Sequence, residues 1–157
     1  MNKFFLALLL MYPAIVMSQG DMSFEEYNPK STLVVPQHPV SKAKFPFIDI
    51  HSHQFQMSDQ DLSTLIKDMD AMNMAVMINL SGGSGARLKD AIDNVKEHYP
   101  DRFGVFANVS FDGVGSTDWG AKAAQKLEED VNNGAVGLKV YKSLGLRNTD
   151  TKGKRVA

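Results

Sequence analysis

From Phe47 onward, apolar runs alternate with apolar stripes of helical period, in a fixed order. Residues 47–50 form a short β-rich run. Ser58 then opens a helical pattern, with Asp61 three residues on as a weaker capping box and Leu62, Leu65, Ile66, Met69 and Met72 along one face. Residues 75–80 read as a buried strand and the following Ser81-Gly82-Gly83-Ser84-Gly85 as a loop. Leu88, Ala91, Ile92, Val95 and Tyr99 mark a second helix stopped at Pro100. A third strand is predicted over residues 103–109. A third helix carries Trp119, Ala123, Leu127 and Val131 on one face and ends at Asn132-Asn133-Gly134. Residues 135–141 complete the series as a fourth strand. Strand starts recur every ~30 residues, the length of a strand, a crossover helix and two short loops. The pattern is (βα)3β with parallel strands, an α/β fold that is either an open doubly wound sheet or part of a β/α barrel.

Face-by-face reading separates the two. In the fourth strand Val136, Leu138 and Val140 share one parity, and Ala135, Gly137, Lys139 and Tyr141 the other. In the second, Val76, Ile78 and Leu80 alternate with Met77 and Asn79; in the third, Val105, Ala107 and Val109 alternate with Phe106, Asn108 and Ser110. One face of each strand turns polar only near its C-terminal end, as a barrel interior does when it is packed below and carries chemistry at its rim.

The flanks are less regular. Residues 19–45 are polar and broken by Pro29, Pro36 and Pro39, which predicts an extended lead-in with one short strand at 32–35 and His38 in a solvated loop. Residues 147–157, RNTDTKGKRVA in sequence with Leu146 before them, have no periodicity and are expected to be disordered. At the start, Lys3 precedes an apolar block over 4–11, Tyr12-Pro13 breaks it, and Val16-Met17-Ser18 offers a cleavage site before Gln19. This is the layout of a signal peptide over residues 1–18, and the block is short of the ~20 apolar residues that span a bilayer. The expected address is the periplasm or the exterior, with a membrane anchor as the alternative. Absence of Cys excludes a lipidated cysteine and a disulfide framework.

A net charge of −1 and a pI near 6.4 exclude a strongly basic nucleic-acid or anionic-membrane surface, and point to a small-molecule substrate or another protein as partner. After a leader is removed, about 140 residues remain, enough for one domain with a core.

The candidate chemistry lies in PFIDIHSHQF, residues 46–55. Simple alternation puts Asp49, His51 and His53 on the face opposite Ile48 and Ile50. Same-face neighbours have Cα atoms roughly 6.5 Å apart, from a rise of ~3.3 Å per residue, so two imidazoles can converge on one ion. Neutral imidazole suits Zn, Ni, Fe or Cu, and a same-face carboxylate could orient a ring. Two polar residues at a strand end are the alternative. SGGSGARLKD, residues 81–90, lacks the spacing of a P-loop or a dinucleotide fingerprint; it reads as a mobile rim loop, with anion binding as the alternative. Glu128-Glu129-Asp130 reads as an exposed helix face, and His98 as a solvated residue near a helix end.

FIDIHSH followed by β/α units resembles the opening of the amidohydrolase superfamily, metal-dependent hydrolases built on TIM (β/α)8 barrels whose first strand ends in His-x-His. The resemblance covers residues 45–146 and is specific at the histidine pair. It implies a partial TIM barrel of about the first four β/α units, with His51 and His53 as metal ligands for a divalent ion, zinc foremost. Members holding two ions bridge them with a carboxylated lysine on strand four, which would correspond to Lys139; binding a substrate carboxylate and reaching to solvent are the other readings of that residue. Tyr141 and Asn108 could face substrate at the rim, with filling the barrel as the other reading of Tyr141. Relatives add histidines from strands five and six and a water-activating aspartate from strand eight, so this chain is expected to be the N-terminal half, with the general base outside it. The reaction implied is metal-assisted cleavage of an amide, ester or lactone, or decarboxylation as in some relatives. Two further functions stay open: a non-catalytic half-barrel that assembles with itself or a partner through the open sheet edge, and a secreted binder without metal.

Overall fold

A computed structural model of the chain describes residues 23–156. The expected leader, residues 1–18, lies outside the described residues. Two compact units are present, Met1–His38 and Pro39–Ala157. Of the first, residues 23–38 hold a single 3-10 turn, Phe24–Glu26, closed by a reciprocal capping box between Ser23 and Glu26. The strand expected at 32–35 does not form: Leu33, Val34 and Val35 are exposed, and among the described residues no backbone partner pairs them into a sheet.

The second unit is a four-stranded parallel half-barrel sheet. Its elements are β1 (Phe47–Ser52), α1 (Ser63–Met72), β2 (Met74–Asn79), α2 (Ala86–His98), β3 (Phe103–Asn108), α3 (Trp119–Asn132), β4 (Gly137–Lys139) and a broken helical turn α4 (Ser143–Leu146). Strand order equals chain order, β1-β2-β3-β4, with every pair parallel. α1 packs on β2, and α2 and α3 on β3. The core lies between sheet and helices, where Met77, Phe103, Val105 and Ala107 meet Met69, Leu88, Ala91, Ile92 and Val95. The sheet is strongly curled: the ring of His53, just past β1, is 6.1 Å from that of Tyr141, just past β4, although two strands stand between theirs in order.

Strand register fixes the faces. Parallel partners share a face, and Met77 pairs with Phe103, Asn79 with Val105, Phe106 with Gly137 and Asn108 with Lys139. Phe106, Asn108, Gly137 and Lys139 therefore look into the open side, as their alternation predicts. Met77 and Asn79 do not; they sit on the helix-covered side, and Asn79 is 0 % exposed. Asn79 is polar there because it closes the β1–α1 connection. Its amide oxygen accepts the Gln54 N–H at 3.0 Å and its Nδ2 donates to the Gln54 carbonyl at 3.0 Å, satisfying backbone groups that burial would otherwise orphan.

α1 begins at Ser63 rather than Ser58. Residues 54–62 instead make turns that drop Met57 into the core, where it is almost wholly buried, and Asn94 of α2 holds them by donating to the carbonyls of Met57 and Gln60. Past β4, the polar stretch 147–156, without periodicity in the sequence, carries a local turn. Thr149 bridges Arg155, and Asp150 accepts the N–H groups of Lys152 and Lys154 to close the turn between them.

Candidate functional site

β1 does not keep simple alternation. Asp49 lies beside Met77 and Ser52 beside Asn79, so three residues of β1 advance against two of β2. The extra residue reverses the parity within the strand. Asp49 and the buried Ser52 share the helix-side row, whereas His51 and His53 flank Ser52 and point to the open side. The expected common face of Asp49 with the histidines is thus broken. Asp49 does not reach either ring; its Oδ1 accepts the His51 backbone N–H at 2.9 Å and so caps the irregular step.

The histidines do come together. Their ring centroids are 5.2 Å apart, edge to face. The His53 ring is also stacked near Phe55, at 6.0 Å and 11° between planes, and near Tyr141. His53 Nδ1 is 2.7 Å from Ser81 Oγ, which is 2.8 Å from the Tyr141 hydroxyl, which donates to the Leu80 carbonyl at 3.1 Å. A connected polar chain thus runs from the Leu80 carbonyl past β2, through Tyr141 two residues past β4 and Ser81, to the ring after β1.

Asn108 and Lys139 lie on the same open face, one strand apart. The Asn108 amide is fully used in joining the rim: Nδ2 donates to the carbonyls of Leu80 and Lys139, and Oδ1 accepts the Gly83 N–H at 2.9 Å. Its place is that of a staple between β2, β4 and the glycine loop. His98 is exposed and hydrogen-bonds the Asn94 carbonyl of its own helix, and His38 is exposed in the first unit.

Ser81 and Asp130 are the polar residues that pattern reading passes over. Ser81 is hidden in a loop whose glycines dominate its composition; its signal is its position, two residues past β2 on the same rim as the histidines. Asp130 is 1 % exposed, not part of an exposed acidic face. Its carboxylate accepts Ser84 Oγ at 2.6 Å and the Gly85 N–H at 2.7 Å, with Lys126 Nζ at 3.6 Å. The spacing Ala123, Leu127, Asp130 follows the buried stripe of α3, whereas Val131, expected on that stripe, is 52 % exposed. These bonds also decide the loop. The N–H groups of Ser81, Gly83 and Gly85 donate to Asn79, Asn108 and Asp130, so they are not open to an anion, and the loop is tied down on three sides.

A cleft of about 400 Å³ lies instead between the β3–α3 loop and α3, lined among others by Asn108, Trp119, Lys122 and Asp130. It touches neither histidine. On its wall, hydrogen bonding to Lys122 holds the exposed Asp118 carboxyl below its usual range, and the hydrogen bond to Glu129 raises the Lys126 ammonium. Among the described residues no three His, Cys, Asp or Glu side chains converge as an ion would need. His51 and His53 alone supply two nitrogen donors. No family model, curated protein or solved structure matches this chain.

Proposed function

We propose that the chain carries the first two ligands of a divalent-metal centre in an amidohydrolase-type hydrolase, and that its half-barrel is the opening of a (β/α)8 barrel. The observation that carries the reading is the convergence of His51 and His53, 5.2 Å apart at the C-terminal end of the first strand of a parallel β/α series. Active sites of such barrels occupy that end. The residues fit the group: two imidazoles suit zinc, and the Nδ1 of His53 already has a partner, as metal-bearing histidines usually do. Catalytic zinc takes three protein ligands and an open position, so on this reading the third donor is either a carboxylated Lys139 or a residue outside the described ones. A divalent ion there supplies Lewis-acid polarisation of a carbonyl and acidifies water for hydrolysis of an amide, ester or lactone.

The chain's own residues then have the following roles. His51 and His53 hold the ion. Phe55 and Tyr141 wall the His53 ring. Lys139, on the open face, holds a substrate carboxylate as its ammonium, or becomes a ligand itself once CO2 has added to the neutral amine with loss of a proton. Residues 1–18 direct export.

Metal content tests the reading. After zinc loading and desalting, the wild type is expected to retain zinc, and the double variant His51→Ala with His53→Ala to lose it. Equal content in both removes the metal reading.

A second reading is favoured by a different observation. Ile48 and Ile50 of β1, and Val136, Leu138 and Val140 in and around β4, are exposed apolar residues at the two sheet edges. A non-catalytic half-barrel that assembles with a second copy would cover them.

A further inference from the structure

The polar chain at the rim has a direction, and the direction starts at a carbonyl. The Leu80 oxygen and the Tyr141 hydroxyl oxygen are 3.1 Å apart. A carbonyl can only accept, so the single hydrogen of Tyr141 lies between them; without it two oxygens would face each other across that distance. The same carbonyl takes Asn108 Nδ2 at 3.0 Å, which engages its second lone pair and fixes its position. Having spent its hydrogen, the Tyr141 oxygen accepts from Ser81 Oγ at 2.8 Å. Ser81 has then spent its own hydrogen, and toward His53 Nδ1, 2.7 Å away, its oxygen can only accept. The hydrogen between them therefore sits on the ring.

We infer that Ser81 and Tyr141 are positioning residues that lock neutral His53 in its Nδ1–H form and leave the lone pair of Nε2 outward as a donor. Ser81 is buried, so bulk water does not compete for its hydroxyl. Stacking with Phe55 and Tyr141 holds the ring plane while the hydrogen bond holds its rotation. A free imidazole exchanges between two tautomers; here the choice is made by a backbone oxygen three groups away. The value of that choice to ion binding rests on the metal reading above, since a ligand histidine needs one nitrogen bare and the other donating. The tautomer itself does not depend on a metal.

The experiment uses the full chain, 15N-labelled and metal-free, with its imidazoles neutral, and reads the long-range 15N–1H correlations of His53. Wild type is expected to give a protonated-type Nδ1 and an unprotonated-type Nε2. Tyr141→Phe keeps the stacked ring but removes the acceptor for Ser81, whose hydrogen then turns to His53 Nδ1 and moves the ring to the Nε2–H form. Ser81→Ala removes the lock and yields a tautomer mixture. Zinc affinity is expected to fall roughly 10- to 100-fold in both variants, the usual effect of losing such a partner. A wild-type His53 in the Nε2–H form, or a Tyr141→Phe spectrum with His53 unchanged, overturns the inference. Should wild type show the Nδ1–H form yet bind no zinc, the proposed function fails and the positioning role stands.

Discussion

Asp130 is a buried carboxylate whose hydrogen bonds are all to one loop. Removing it leaves the Gly85 N–H and the half-buried Ser84 hydroxyl without the partner that holds them. Asp130→Ala is therefore expected to destabilise the fold by about 2–3 kcal/mol, read from urea unfolding, while Glu129→Ala on the exposed side stays within about 0.5 kcal/mol. Steric limits act at the same scale. A Cβ on Gly82 would fall 2.5 Å from the Phe106 carbonyl oxygen, and one on Gly137 would fall 2.4 Å from the Phe106 ring. Backbone cannot yield as a ring can, so Gly82→Ala is expected to cost more than Gly137→Ala, with both in the range of about 1–3 kcal/mol by the same measurement. The histidines, Lys139 and Tyr141 could be singled out in the sequence because each stands out chemically from an apolar strand. Ser81 and Asp130 could not, since hydroxyl and carboxylate residues are common in loops and on helix faces, and only packing distinguishes a buried one.

The start of α1 shows what holds an element in place. Asp61 accepts both the backbone N–H and the hydroxyl of Ser63, at 2.8 and 3.0 Å, and these bonds, the backbone one foremost, lower its pKa from the ordinary 3.8. A lowered folded pKa means the carboxylate form is the one that stabilises. Its contribution is complete above the ordinary value and is lost as pH falls through the lowered one. A lower protection factor at the Ser63 amide, its exchange rate taken relative to the intrinsic rate at each pH, is expected on acidification through that window, and Asp61→Asn should flatten the dependence. Periodicity located the three long helices because their apolar stripes are continuous. It placed the start of α1 early because Leu62 fits the helical stripe as well as it fits a turn packed into the core; nothing local separates the two, and Asn94 on a distant helix decides. β1 fails for a related reason. Alternation assumes one residue per step, and the extra residue between Asp49 and Ser52 becomes visible only against β2.

Across the whole molecule, the sheet has two edges with apolar residues in solvent, Ile50 at 73 % and Val136 at 63 % exposed. Parallel edges with such residues favour pairing with further protein. Sedimentation velocity is expected to show association that grows with concentration, and Leu138→Lys on β4 to weaken it; a concentration-independent monomer would argue against an adhesive edge. The sequence by itself determined the alternation of strands and helices, the parallel sheet that such connections require, and the histidine pair at the end of the first strand, because period and residue chemistry are local properties. Tertiary structure alone decided which side Asn79 and Asp49 face, that Asp130 is buried, and that Ser81 and Tyr141 meet His53. These depend on register and curvature, which bring together residues as far apart as positions 53, 81 and 141, and no local pattern carries that information.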